Sequence, residues 1–303
     1  MTTASQSVSL GDNQLSAVYR AADHVAWAGQ RATKWLIRTE LISLIVASGA
    51  GVTTVRVGQG RFDVLALVSV VAFLVAMGAT IRRAVSKPER DWYEGRAAAE
   101  SARTLAWKYA MRADPFTMTD LQGAADRFLE RLGQVLDELN DIRLSPPAVA
   151  DRELTEAMRQ VRAADVGTQR LVYRRDRIEN QIEWYARRSR DHAQKARLWL
   201  SIASGASALG VVAAFVKFLT IDVDLLGIFA ATATSAIAWN QLSQHRNQST
   251  AYTVTARELN IIRERIALVS DADWPQFVAD SEDAISREHT MWLARHGHLR
   301  TSQ

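Results

Sequence analysis

No charged residue occurs from Leu198 to Val216, LWLSIASGASALGVVAAFV. That run is close to the roughly 20 apolar residues an α-helix needs to cross a bilayer. Trp199 stands near its start, where an interfacial aromatic anchor is expected. A short loop, Lys217–Asp224, leads into a second apolar stretch, Leu225–Trp239. The arrangement has an earlier counterpart in Trp35–Val55, strictly apolar from Leu41, then a Gly-containing turn over Arg56–Asp63, then the uncharged Val64–Ile81, ended by Arg82-Arg83. The pattern predicts two membrane hairpins with spans at about 35–55, 64–81, 198–216 and 225–239.

The two hairpins echo each other in detail. Ala203-Ser204-Gly205-Ala206 repeats Ala47-Ser48-Gly49-Ala50, and Trp184 and Trp27 precede the tetrapeptides at nearly equal distances. Asp63-Val64-Leu65 and Asp224-Leu225-Leu226 open the second stretch of each half. The reading is a tandem duplication of one unit. The competing reading is chance likeness between apolar segments rich in small residues.

Outside the hairpins the periodicity is helical. Met1–Asp12 is small and polar, and is expected to be disordered; it has neither a basic n-region nor an apolar h-region. A helix is expected from near Asn13 towards Trp35, and another over Asp91–Ala113, stopped by Pro115. Leu121, Ala125, Phe128, Leu132, Val135, Leu139 and Ile142 keep heptad spacing, a narrow seam that needs a partner helix in this chain or a neighbouring one. Ser145-Pro146-Pro147 is the clearest break. It divides the chain into an N-terminal segment 1–12, a first hairpin unit 13–145 and a second 146–303. In the second unit a helix is expected over Asp151–Ala164, with an interruption near Gly167. From Thr168 the pattern runs through Leu171, Ile178, Ile182, Tyr185 and His192 into the span at Trp199 with nothing to stop a helix. Tyr252 to Val269 again follows 3,4 spacing, and Asp271-Ala272-Asp273 before Trp274-Pro275 marks a new helix that ends at Gly297. No run of alternating residues predicts a strand.

Only about a quarter of the chain lies in the apolar stretches, so most of its mass is expected outside the bilayer. The fold class is therefore all-α: an integral membrane protein of two duplicated two-transmembrane hairpin units with long cytoplasmic helices. Cysteine is absent, which removes disulfides and thiolate metal sites. Lys and Arg exceed Asp and Glu by 37 − 33 = 4. Their placement matters more than their number. The hairpin loops hold Arg56, Arg61 and Lys217; the opposite flanks hold Arg31, Lys34 and Arg38, then Arg82, Arg83, Lys87 and Arg90, then a cluster ending at Arg197, then Arg246. Basic residues favour the cytoplasmic side. A multi-pass protein of the inner membrane is expected, with both termini cytoplasmic and the two hairpins parallel repeats.

Motifs of catalysis are missing: no GxxxxGK[ST], no GxGxxG before a helix, no HExxH, no GxSxG. His289, His296 and His298 sit in a polar C-terminal stretch and read as solvated residues. No enzyme activity, cofactor or metal is expected. The informative residues are small and hydroxylic. Glu40, Ser43, Ala47, Gly51 and Thr54 share helical spacing in the first span, Ser69, Ala72, Ala76 and Thr80 in the second, Ser201, Ser204, Gly205 and Ala208 in the third, and Thr232 and Ser235 lie in the fourth. Such stripes either let helices approach closely or, once several chains assemble, line a narrow aqueous path. Arg187, Arg188, Arg190, Lys195 and Arg197 either contact anionic headgroups or only set topology. Nucleic acid is not an expected partner, because the interspersed acidic residues dilute the positive field.

The stretch Leu154-Thr155-Glu156-Ala157-Met158-Arg159-Gln160-Val161-Arg162, followed by Arg170, Tyr173, Arg177-Ile178, Gln181, Trp184-Tyr185 and a hairpin, resembles a SLATT domain. SLATT domains are the two-transmembrane effector domains associated with SMODS and SLOG proteins. Ile285-Ser286-Arg287-Glu288-His289-Thr290, with Trp292 and Ala294-Arg295, is similar to the end of such a unit; Trp92-Tyr93 with Ala99-Glu100-Ser101 and Thr104 is similar to the helix after a first hairpin. Arg187-Arg188 replaces the family's lysine-containing turn. The resemblance implies a tandem SLATT protein, a membrane effector of bacterial nucleotide-signalled conflict systems that perturbs the membrane or forms a pore. It also implies a separate sensor or nucleotide-signalling protein as trigger. The heptad seam and small-residue stripes add a homo-oligomer. Two rival readings stand beside it: a non-conducting membrane scaffold whose helices recruit partners, and a water-soluble bundle with the hairpins as its core.

Overall fold

The computed structural model describes residues 8–52, 54–57, 62–137, 146, 148, 150–219 and 225–297. Several sequence expectations fall outside these residues: the segment 1–7, Gly58–Arg61 of the first turn, Leu139 and Ile142 of the heptad seam, Ser145 and Pro147 of the break, residues 220–224 of the second loop, and His298.

Ten α-helices carry the described chain: α1 Ala17–Ala50, α2 Val64–Ser86, α3 Pro88–Ala110, α4 Leu121–Asp137, α5 Glu156–Ala163, α6 Val166–Val172, α7 Asn180–Leu219, α8 Leu226–Ser243, α9 His245–Ile266 and α10 Trp274–Gly297. A π-helical segment, Tyr173–Glu179, joins α6 to α7 without a break. The fold is all-α apart from a two-residue antiparallel ladder, β1 Arg56–Val57 with β2 Phe62–Asp63, which closes the first hairpin. Strands this short leave no alternating pattern to read.

Local chemistry sets the ends. The Asp63 carboxylate caps α2 by accepting from the backbone N–H groups of Leu65 and Ala66 at 3.0 and 3.4 Å. Lys87, left-handed at φ 42°, ends it, and Pro88 opens α3 where a missing N–H costs nothing. Thr155 caps α5 through Met158 N–H, and Asp165 caps α6 through Thr168 N–H at 2.9 Å. The same Thr168 bonds hold the Asp165 carboxyl below its usual pKa. Arg112, left-handed at φ 54°, follows α3, so that helix stops at Ala110 rather than Ala113. α10 begins at Trp274 and runs to Gly297, as the sequence predicts.

The chain divides into two compact bodies, each drawing on both sequence halves. One, the terminal body, comprises the described residues of 1–30, 89–184 and 255–303. Its centre is aromatic: Trp107 meets Tyr173 edge-on at 5.8 Å, Tyr173 meets Trp274 at 5.7 Å, and Tyr109, Phe116 and Phe128 cluster beside them. The α4 seam finds its partner here, in its own chain: Phe128 and Leu132 are buried, while Leu121 is exposed. Arg162 threads into the same core. Its guanidinium donates to the carbonyls of Tyr109, Phe116 and Met118 at 2.8, 2.9 and 2.8 Å and lies over the Tyr109 ring, pinning the chain after α3.

The second body, the hairpin body, comprises the described residues of 31–88 and 185–254. It holds the later part of α1, all of α2 and α8, most of α7 and the start of α9. Among the described residues, two helices are long and apolar enough to cross a membrane by length and composition: α2, and the continuous helix Val166–Leu219 that includes α7.

Candidate functional site

Small residues bring the helices of the hairpin body together. Ala47 of α1 is buried, and its carbonyl accepts from Ser69 Oγ of α2 at 3.1 Å. On α2 the buried positions are Ala72, Ala76 and Ala79, close to the predicted stripe; Thr80 turns its hydroxyl back to the Ala76 carbonyl. Gly49 of α1 faces Ile228 of α8, and Ser48 Oγ approaches Gly227. On α8, Ser235 is buried and Thr232 bonds the Ile228 carbonyl at 2.7 Å. Ser43 borders an apolar groove of about 400 Å³ between α1 and α2, walled by Ile42, Val46, Leu67, Val71 and Val75.

Two predicted site assignments need correction, Gly51 with Thr54 and Glu40. Gly51 and Thr54 do not continue the α1 stripe. The helix ends at Ala50, Gly51 N–H makes a last helical bond to the Ala47 carbonyl at 3.2 Å, and Val55 bonds Asp63 and Val64 across the turn. Ser201, Ser204, Gly205 and Ala208 are all exposed, and among the described residues nothing lies within 4 Å of a Cβ added at Gly205. The packing stripe of α7 is Ala203, Ala206 and Gly210, with Gly210 against Phe229 of α8. Glu40 belongs to an ion pair with Arg83 at 3.8 Å rather than to a polar stripe.

The outer faces are strongly apolar. Leu67, Phe73 and Leu74 of α2 and Leu209, Val211 and Phe215 of α7 are all more than half exposed. Only 17% of the most apolar window of either helix is buried. A water-soluble core helix would show the reverse, and a contiguous apolar surface of this size marks a membrane or protein contact.

Where α7 and α9 lie side by side, three pairs form within one heptad, at steps of three and four residues. Tyr185 meets Tyr252, Ser189 bonds Ser249 and Thr253, and His192 meets His245. The two imidazole Nδ1 atoms are 3.0 Å apart, one donating and one accepting. Burial, then the His245 ring, then Lys195, Lys34 and Arg188 bring His192 down to about 4; burial, Lys195 and Lys34 bring His245 down to about 4. Both rings are therefore neutral at physiological pH. The helical periodicity marks His192 only as one apolar-face position and gives no sign of His245. The signal was the matched spacing, Tyr185 to His192 on one helix and His245 to Tyr252 on the other. Arg187, Arg188, Arg190, Lys195 and Arg197 are exposed along α7. Burial first, then Lys195, Arg188 and Arg38 lower Lys34 to about 8.

The terminal body holds a buried charge cluster. Arg177, in the π-helical segment, grips both oxygens of Glu282 at 2.9 and 2.7 Å and reaches Glu100 at 3.3 Å. Tyr173 OH donates to Glu282 at 3.0 Å. Burial opposes the Arg177 charge, but Glu282 and Glu100 outweigh it and raise its pKa. Burial and then Glu282 push the Tyr173 phenol well above its usual value. These groups are saturated by one another and present nothing to a substrate. Among the described residues no group of three or more His, Asp or Glu side chains is placed to hold a metal ion.

Two family matches account for most of the chain. SMODS and SLOG-associating 2TM effector domain 3 matches residues 17–170, and SMODS and SLOG-associating 2TM effector domain 1 matches residues 173–292. The two matches meet at the end of α6, where the π-helical segment begins. No curated protein and no solved structure matches the chain.

Proposed function

The chain belongs to the SMODS- and SLOG-associating two-transmembrane effector (SLATT) family, carrying two such domains in tandem, and from that premise we propose that it is a membrane-perturbing effector that assembles into a pore. In this reading α2 and residues 198–216 of α7 span the bacterial inner membrane, and the hairpin partners on α1 and α8 complete four spans in two duplicated units. Both termini and the terminal body lie in the cytoplasm. The chain acts without catalysis. A separate sensor or nucleotide-signalling protein triggers it in a conflict or defence system, and copies of the chain associate to enclose a path that four helices alone are too few to form.

The observation that carries this reading is the exposure of large apolar side chains around α2 and α7. Each fully apolar side chain left in water rather than lipid or protein costs about 1.5–3 kcal/mol, so these faces need cover. Ser201, Ser204, Gly205 and Ala208 are exposed on α7, which suits a contact with another copy or with an aqueous path. The basic residues Arg187, Arg188, Arg190, Lys195 and Arg197 suit the headgroup level. The terminal body, with its aromatic core and saturated ion cluster, also favours a second reading, a rigid platform that recruits partners to the membrane without conduction.

Expression in cells with simultaneous measurement of membrane potential and of membrane fractionation separates the readings. Depolarisation on triggering, from protein in the membrane fraction, supports the pore. Membrane protein with an unchanged potential under a confirmed trigger supports the platform. Recovery in the aqueous fraction without detergent removes both.

A further inference from the structure

The two hairpins share residues at matched positions but not their surroundings. Ala47-Ser48-Gly49-Ala50 of α1 aligns with Ala203-Ser204-Gly205-Ala206 of α7. Asp63-Val64-Leu65 aligns with Asp224-Leu225-Leu226, so Ala66 and Leu67 of α2 correspond to Gly227 and Ile228 of α8. Ala47 and Ala203 are both buried; the two positions after them differ. A Cβ added at Gly49 would stand 3.0 Å from the Ile228 side chain, and one added at Gly227 would stand 3.4 Å from Ser48 Oγ. Ser204 and Gly205 are instead exposed, and among the described residues nothing lies within 4 Å of a Cβ added at Gly205. Their counterparts on α2 are open too: Ala66 is exposed, and Leu67, at 63% exposed, borders the apolar groove between α1 and α2. About three helical turns away, Arg38 of α1 lies over Trp239 of α8. The matching positions, Gln194 and Gly78, are again exposed.

We propose that the face of α7 bearing Ser204 and Gly205 docks on the face of α2 bearing Ala66 and Leu67 in a second copy of this chain, repeating between copies the contact that α1 makes with α8 within one. The inference rests on the reading of two duplicated units above, which is what matches these positions. The occupied contact supplies the geometry. A glycine lets two helices approach closely, and an aliphatic side chain of the other helix takes the space beside it: Ile228 at Gly49 within the chain, Leu67 at Gly205 between chains. Direction agrees as well. Ser48 stands near Gly227, and Arg38, earlier on α1, meets Trp239, later on α8, so those helices run antiparallel. With every copy inserted in the same sense, α7 of one and α2 of the next are antiparallel too. Lipid alone needs neither a glycine on α7 nor a matching aliphatic residue on α2. The two surfaces differ, so the contact is heterologous: each copy uses α7 towards one neighbour and α2 towards the other, the kind of interface that generates rings.

The chain has no cysteine, so every disulfide must come from introduced residues. The full chain is expressed in bacterial cells, its membrane and aqueous fractions are oxidised separately, and both are run on a non-reducing gel. Ser48→Cys/Gly227→Cys reads the contact within the chain and is expected to lock as a monomer of altered mobility. Ser204→Cys/Ala66→Cys reads the proposed contact and is expected to give a ladder of interchain products. Either single variant is expected to give at least about tenfold less, because a heterologous contact does not set a residue against its own copy. Co-expressing the two single variants is expected to restore linkage that stops at dimers. Gly205→Leu, added to the Ser204→Cys/Ala66→Cys pair, is expected to abolish the ladder, and Leu67→Ala on top of it to restore part. Circular dichroism checks that each variant keeps its helices. If the Ser48–Gly227 pair locks while the Ser204–Ala66 pair stays monomeric, something other than a second copy covers these faces and the inference falls. Single variants that link as well as the pair mean an isologous contact and overturn it too, as does a Ser48–Gly227 pair that fails to lock, since the template is then lost. Recovery in the aqueous fraction removes the membrane reading instead, and the gel of that fraction still decides the contact.

Discussion

Glu282 of α10 lies fully buried with both carboxylate oxygens held by the Arg177 guanidinium, at 2.9 and 2.7 Å. Around them Tyr173 and Glu100 complete the partners. The residues come from α3, the π-helical segment and α10, far apart in sequence. Removing one side of a buried ion pair leaves a stranded charge and typically costs about 3–5 kcal/mol. Glu282→Ala is therefore expected to lower the thermal unfolding midpoint of the purified protein sharply. Replacing both partners, Arg177→Met with Glu282→Leu, is expected to recover part of the loss, because the Glu282 charge goes with its guanidinium and Glu100, which also loses Arg177, keeps Arg103 at 3.5 Å. A single-variant midpoint equal to that of the wild type would contradict the buried arrangement.

Gly95 makes a second, purely steric prediction. A Cβ there would stand 2.8 Å from the Ala26 backbone nitrogen and 3.1 Å from the Ala22 carbonyl oxygen. Backbone cannot yield as a side-chain tip can, so α3 and the start of α1 must separate. Gly95→Ala is expected to destabilise the protein by about 1–3 kcal/mol, although alanine is the better helix former. Gly205→Ala, where nothing lies within 4 Å of the added carbon, is the matched control and is expected to be neutral or slightly stabilising. Denaturant midpoints of the two variants give the comparison.

The imidazole pair predicts a pH dependence with a definite sign. His192 and His245 are lowered from 6.5 to about 4, chiefly by burial. As pH falls below 6.5 the unfolded chain takes up protons that the folded chain refuses, so stability is lost between pH 6.5 and about 4 and is unaffected by the pair above 6.5. His192→Phe/His245→Phe is expected to flatten that part of a plot of unfolding midpoint against pH. An unchanged slope in the double variant would place the acid sensitivity elsewhere.

The legible parts of the chain were those with a long period or a strong stop. The start of α10 after Asp273, its end at Gly297, and the unbroken passage from Thr168 into the apolar run all follow from capping residues and 3,4 spacing. The seam of α4 was legible, but not that its partner is Tyr109 and Phe116 of the same chain. Composition could not say which small residues of α7 face inward. Ala203 and Ser204 are neighbours of similar size, and only the position of α8 decides that the first is buried and the second exposed. Arg162, Arg177 and Glu282 were hidden for a related reason: on one strand of sequence a charge reads as surface, and only packing supplies the carbonyls or the opposite charge that let it be buried.

The lipid surroundings of the hairpin body can be tested by substitutions for which water and membrane give opposite outcomes. Leu74 of α2 and Leu209 of α7 are 55% and 52% exposed, and both lie near the middle of their apolar runs. On a water-soluble protein an exposed leucine accepts arginine within about 0.5 kcal/mol and gains solubility. At the centre of a membrane helix the same arginine costs about 2.5–3.5 kcal/mol. Leu74→Arg and Leu209→Arg, singly and together, are therefore expected to deplete the chain from the membrane fraction, with the double variant the more severe. Ser204→Arg, on an exposed face at similar depth, should follow them if lipid covers that face, and should do so less if water does. Should both leucine variants accumulate in the aqueous fraction with undiminished helicity and unfolding midpoint, the hairpins were never in a bilayer.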